Sequence, residues 1–354
     1  MRRFCLRILL AALPVALMVV VNYTRDPAGL FGGGAEARMG ALLVDGHAVR
    51  PPDEYNARLV DRYYVQHAPT PPDVVILGTS RAMRIRSSAF PGRTAMNLAV
   101  FAGTVEDVVA IVGMYDRKGR WPGEIVLVLE PWMLNDFNGL TGWRSVASEY
   151  QYMSRRLGTD PSLNLPAAWP AFDTYFALVS PAYFQAALRS RPTTDAADRV
   201  SAVPAAAAED TIVLADGSRL DGRAIRERSA AEGRMRAVRD AAPPFAGLEH
   251  FSALSPARER ELTLATRFLA GVGVRVTFAL MPFHPLVHQI LFSSSAYAMV
   301  GRAEQRFRAL GRELGVAVRG SYDPGACRCL DTDFVDGIHP TAPCSARALT
   351  VAAR

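Results

Sequence analysis

Residues 74–86 read VVILGTSRAMRIR. Four aliphatic residues in a row, with no polar alternation, predict a short strand buried on both faces, as in a parallel sheet. The run stops at Gly78, which lets the chain turn tightly off the strand, and Thr79-Ser80 follow at once. A serine at the carboxyl edge of a sheet is either the N-cap of the next helix or a nucleophile with helix-terminal amides behind it. The nucleophile reading requires a base, because a free serine hydroxyl is a weak nucleophile near neutral pH.

Working outward, residues 94–100 (TAMNLAV), 124–132 (EIVLVLEPW), 274–282 (VRVTFALMP) and 316–320 (VAVRG) predict further strands. Between them, 106–119 reads as a helix ending on a glycine cap, and 255–273 as a helix with a serine start. The alternation predicts an α/β fold with a central parallel sheet. Residues 140–250 lack this rhythm and are rich in alanine, proline and arginine, so they are expected to form a mostly helical insertion. Within it, TIVLADGSRLDG (211–222) predicts a hairpin on an Asp-Gly turn. Residues 24–70 form a lead-in with one helix, and the proline cluster that ends at Pro72 marks where the main domain, 71–354, begins.

Of the histidines, His339 stands out. In DGIHP, Asp336 precedes it by three residues, close enough on a tight turn to orient the imidazole and stabilise its protonated form. VVILGTSR and DGIHP together resemble the first and last blocks of the SGNH/GDSL hydrolase superfamily. The resemblance covers about residues 73–136 and 270–354. It implies a three-layer α/β fold with Ser80 as nucleophile, His339 as base and Asp336 as the orienting acid. The family's oxyanion donors lie in two middle blocks. NLAVFAGT (97–104) resembles one, with Ala102 or Gly103 offering an amide; Phe101-Ala102 stand where the family has Ser-Gly. LEPWMLND (129–136) resembles the other and makes Asn135 a side-chain donor, although Trp132-Met133-Leu134 depart from the family's pattern.

Several flanking residues have two readings. Arg81, Arg84 and Arg86 are a solvated basic face or a means of recognising an anionic substrate. His284, in MPFHPLVH after a strand, is a substrate contact or a loop residue, and Trp132 is a core aromatic or a platform for a sugar ring.

At the N-terminus, Arg2, Arg3 and Arg7 precede an apolar run from Ile8 to Val21, and no small-residue cleavage pattern follows. Residues 1–23 are therefore expected to form an uncleaved signal anchor in the inner membrane, with the rest of the chain in the periplasm or cell exterior. A net charge of +6 comes almost wholly from arginine, with Lys118 the single lysine. The arginines are scattered rather than clustered in runs, which argues against a nucleic-acid partner. In an oxidising compartment, Cys344 is expected to pair with Cys327 or Cys329, clamping the segment around Asp336. The spacing of these cysteines and His339 suits zinc poorly, so no metal or cofactor is expected.

The anchor followed by NYTRDPAGLF resembles membrane-anchored SGNH proteins of bacterial envelopes, such as those of alginate O-acetylation and lipoteichoic acid D-alanylation. That resemblance implies an acyl-ester hydrolase or O-acyltransferase acting on an envelope polysaccharide or acylated glycan, beside a membrane-bound O-acyltransferase. The alternative is a non-catalytic scaffold or polymer-binding partner of such an enzyme.

Overall fold

The computed structural model describes residues 2–25, 34–159, 178–189, 200–205, 209–240, 245, 247–248 and 250–352, with backbone alone over 2–12. Helices α1 (Arg2–Arg25) and α2 (Gly34–Val44) lead through strand β1 (Val49–Arg50) to helix α3 (Ala57–His67). Strands β2 (Val74–Leu77) and β3 (Ala95–Asn97) are followed by helix α4 (Val105–Lys118), strand β4 (Glu124–Val128) and helix α5 (Ala147–Leu157). Next come α6 (Pro181–Arg189), short strands β5 (Ser201–Ala202), β6 (Ile212–Val213) and β7 (Arg219–Leu220), and helices α7 (Arg223–Arg226) and α8 (Ala230–Asp240). The chain closes with α9 (Pro256–Gly271), β8 (Arg275–Leu280), α10 (Pro285–Ser293), α11 (Ala298–Leu314), β9 (Ala317–Gly320) and α12 (Ala342–Thr350).

The main sheet is parallel throughout, in the order β3-β2-β4-β8-β9. Every residue of β2 and β4 is buried, which accounts for the apolar runs Val74–Leu77 and Ile125–Val128. From β2 the chain goes first to the β3 side and then crosses to β4, so the sheet reverses direction at the carboxyl ends of β2 and β4. That crevice is where open α/β sheets place their ligands. On one face, Val75, Leu77, Ile125 and Leu127 pack with residues of α4, α5, α9 and α11. On the other, Val74, Ile76, Val126 and Val128 pack with Met83, Ile85, Cys327, Cys329, Phe334 and Ala348. The second covering layer is thus built from turns, a loop and α12.

The helices begin and end where their sequences direct. Thr104 and Asp107 form a capping box at the start of α4, and Gly119 closes it in the left-handed conformation. Ser255 caps α9.

The lead-in and the expected insertion are not independent of each other. The strands of residues 201–220 join β1 in a second, antiparallel sheet ordered β5-β1-β6-β7, in which Val49 pairs with Ala202 and Val213. Two-residue strands are marginal alone, so only this joint sheet makes them stable. The hairpin on Asp216-Gly217 forms as expected, with the Leu214 amide bonded to the Ser218 carbonyl. Helix α5 falls inside the expected insertion yet belongs to the main helical layer. Its backbone lies so close to α4 that a Cβ at Gly113 would stand 2.7 Å from the Glu149 carbonyl oxygen. Residues 160–177, 190–199, 206–208 and 241–244 of the expected insertion lie outside the described residues.

Among the described residues, no helix is long and apolar enough to cross a membrane. The apolar run Ile8–Val21 begins where only backbone is described; farther along α1, Leu13, Leu17 and Val20 are exposed.

Candidate active site

Gly78 ends β2 at a φ of +154°, and a Cβ there would lie 2.7 Å from Val128 Cβ on the neighbouring strand. Only glycine fits, and the close approach sends Thr79 and Ser80 over the carboxyl edge of the sheet. No helix follows Ser80, contrary to the expected strand-to-helix turn. Residues 80–84 form successive turns instead. The Asn97 side chain donates to the carbonyls of Ala82 (2.8 Å) and Ile85 (2.9 Å), and the Arg219 amide takes the Met83 carbonyl. A helix would need those carbonyls for its own ladder.

Ser80 and His339 are 259 positions apart, and the fold brings them together. Ser80 Oγ donates to His339 Nε2 at 2.8 Å, and His339 Nδ1 lies 2.8 Å from Asp336 Oδ2 and 3.0 Å from Oδ1. A carboxylate only accepts, so Nδ1 holds the proton and Nε2 is the acceptor facing Ser80. Asp336 Oδ1 also accepts from the amides of Ile338 and His339. Burial pushes this carboxyl up, but the His339 ring and the two amides outweigh burial and hold it well below the usual carboxylate range. Asp336 is therefore ionised across the neutral range. The turn itself is fixed by the Val335 amide on the His339 carbonyl and by the Asp240 carboxylate on the Gly337 amide.

Beside Ser80 lies the turn 101–103. Gly103 touches the serine turn through backbone: a Cβ on Gly103 would sit 2.5 Å from the Gly78 carbonyl oxygen. Ala102 is exposed, and its φ of +49° is a left-handed conformation that alanine rarely adopts. The amides of Ser80, Ala102 and Gly103 donate to no described residue. The strained turn is held by Arg58, which donates to the carbonyls of Phe101 (3.0 Å) and Ala102 (3.5 Å). Arg58 is in turn gripped by both oxygens of Asp107, the capping residue of α4. Thr104 and Asp107 have the spacing of a capping box, although the sequence reads as a helix only from Glu106, and nothing in the sequence links that box to Arg58.

Other expected site residues have structural roles. Asn135 is buried; its Nδ2 donates to the Gly247 carbonyl and its Oδ1 accepts from the Phe137 amide, contacts that fix the adjoining loops. Trp132 is also buried, donating to the Gly103 carbonyl, so it is a core aromatic and not a platform for a sugar. His284 is buried too. Its ring Nδ1 accepts from Leu286 as the cap of α10, and its amide donates to the Gly337 carbonyl. Burial pushes its imidazole pKa down and keeps it neutral. Through its backbone amide it supports the Asp336 turn.

Arg81 is the largest departure. It is completely buried, not part of a solvated basic face. Its guanidinium stacks 3.8 Å from the Phe283 ring centroid and donates to the Ile338 carbonyl (2.9 Å), the Met281 carbonyl and Glu130. Burial pushes the Glu130 carboxyl up to about 7, against the pull of Arg81 and Thr79. Arg81 follows Ser80 and Ile338 precedes His339, so this one side chain ties the Ser80 turn to the His339 loop through their neighbours. Arg84 is likewise buried, in a bidentate pair with Asp221. Cys329 and Cys344 form a disulfide, and Cys327 is a free, buried thiol. Compared with known proteins, the chain matches no family model, no curated protein and no solved structure.

Proposed function

We propose that the chain is a serine acyl-ester hydrolase or O-acyltransferase of the SGNH type. One observation carries this reading: the continuous hydrogen-bonded series Ser80 Oγ–His339 Nε2 and His339 Nδ1–Asp336. In the reaction, His339 Nε2 takes the Ser80 proton as Oγ bonds to the ester carbonyl carbon. The amides of Ser80 and of the 102–103 turn are the donors for the resulting oxyanion. The leaving alkoxide departs with the proton from His339. A second hydroxyl, from water or a sugar, gives its proton to His339 and attacks the acyl-enzyme, and Ser80 is released with its proton restored. Asp336 keeps the imidazole in the required tautomer and stabilises its cation.

The substrate we assign is an acylated glycan of the cell envelope, reached from outside the inner membrane and served by a membrane-bound O-acyltransferase. The Cys329–Cys344 disulfide supports an oxidising compartment. The arginines ahead of Ile8 and the exposed Leu13, Leu17 and Val20 on α1 support an N-terminal tether.

The test is labelling of the full chain with a fluorophosphonate probe. Wild type is expected to label, and Ser80→Ala and His339→Ala to remain unlabelled while keeping the wild-type melting temperature. A folded wild type that fails to label would remove the simple serine-enzyme reading and favour the scaffold role.

A further inference from the structure

A cavity of about 280 Å³ is walled by Phe334 and Val335, which lead directly into Asp336, and by Arg84 and Arg86, which follow Ser80 in the chain. Five of its lining residues are arginines: Arg84, Arg86, Arg219, Arg226 and Arg228. Its lining carboxylates are Asp221 and Asp331. Formal charge on the wall is therefore five minus two, or +3.

Asp221 is already committed. It holds Arg84 through two hydrogen bonds of 2.6 and 2.7 Å and Arg219 Nε at 3.1 Å, so one carboxylate fixes two guanidinium groups. Burial pushes Asp221 up, but its two arginines outweigh burial and hold it below the ordinary carboxylate range. Asp331 is paired, loosely, with Arg234 outside the cavity. Arg86 and Arg228 are both half-buried, and neither has an ion pair with any described carboxylate. Among the described residues, Arg86 Nε is buried with no hydrogen-bond partner and Arg228 reaches only the Val335 carbonyl, at 3.5 Å. Partly buried cations without counter-charge are unfavourable unless an anion completes them. The first residues of α12, Thr341 to Pro343, also line the cavity and add the positive end of that helix.

We propose that this cavity is a subsite for an anionic group, a carboxylate, sulfate or phosphate, carried by the acylated glycan whose ester reaches Ser80. The planar guanidinium fork matches all three groups, and the cavity has room for one charged substituent or sugar unit. As a statement about substrate, the proposal rests on the serine-enzyme reading; as an anion site it stands on the arginines alone.

The experiment is calorimetric titration of the full chain, as wild type, Ser80→Ala, Arg86→Gln, Arg228→Gln and Arg234→Gln, with glucuronate, sulfate, phosphate and neutral glucose. Wild type and Ser80→Ala are expected to bind at least one of the anions and not glucose. The anion bound most tightly identifies the group. Arg86→Gln and Arg228→Gln are expected to weaken that binding about tenfold or more, the loss of a charge-assisted hydrogen bond. Arg234→Gln, outside the cavity, is expected to bind as wild type does. No anion binding to folded wild type overturns the subsite, and so does an equal loss in Arg234→Gln, which would mean non-specific attraction. Fluorophosphonate labelling without anion binding removes the subsite alone. Anion binding without labelling removes the serine reading and leaves the anion site in place.

Discussion

At the scale of single residues, the Asp336 carboxylate carries the clearest test. Replacing it with asparagine preserves shape but lets the side chain present a donor, which favours the wrong His339 tautomer. Asp336→Asn is expected to lower ester turnover by about 10,000-fold with little change in KM. Its effect on stability has a definite pH dependence. A carboxyl held below its ordinary value of 3.8 stabilises the fold above that pH, and this contribution is lost as the pH falls through the lower, folded value. Urea titrations of wild type and Asp336→Asn should therefore differ most above pH 4, and the gap should close on acidification below it. A gap that widened toward acid would contradict the hydrogen bonding described for Asp336.

At the scale of elements, two turns meet a loop, and buried guanidinium groups hold them there. Arg58 secures the 101–103 turn, and Arg81 joins the Ser80 turn to the His339 loop. The buried Arg81–Glu130 pair gives a double-mutant test. Arg81→Met alone leaves Glu130 buried without its cation and is expected to cost about 3–5 kcal/mol in urea denaturation. Arg81→Met with Glu130→Met replaces the pair by apolar side chains and is expected to recover most of that loss. Both variants leave the Ile338 carbonyl without its donor. The rate of fluorophosphonate labelling should thus fall in both, although only one is unstable. A double variant that labels at the wild-type rate would reduce Arg81 to a packing role.

At the scale of the whole molecule, the Cys329–Cys344 bridge closes a loop, 15 residues in sequence separation, that contains both Asp336 and His339. Loop-closure entropy assigns such a bridge about 3 kcal/mol. Cys344→Ser is expected to lower the unfolding free energy by about that amount and to slow labelling, because the base then sits on an unclamped loop. Burial pushes the Cys327 thiol up to about 11, so at neutral pH it holds little thiolate to attack the bridge. The native chain should accordingly resist alkylation by iodoacetamide until it is unfolded. The bridge also anchors the loop to the start of α12, the same helix end that lines the arginine cavity.

Local pattern sufficed for the sheet, for the helix ends and for the spacing of Asp336 and His339. Strand burial shows in an unbroken run such as Val74–Leu77, a helix stop shows in Gly119, and the acid and base of the triad lie three residues apart at Asp336 and His339. Each depends on neighbours in the chain. What surrounds the triad depends on partners far apart in sequence, and only the folded chain decided it. Arg81 reads as a basic surface residue until Glu130, Met281 and Ile338 are placed around it. Asn97 prevents a helix after Ser80 only because β3 lies beside β2. The choice of Cys329 over Cys327 turns on which Cβ faces α12, a matter of loop geometry that the spacing of three cysteines leaves open. Arginine is the residue for which sequence said least here: its long stem lets one residue type serve as buried strut, turn clamp or ligand contact, and its surroundings alone select among them.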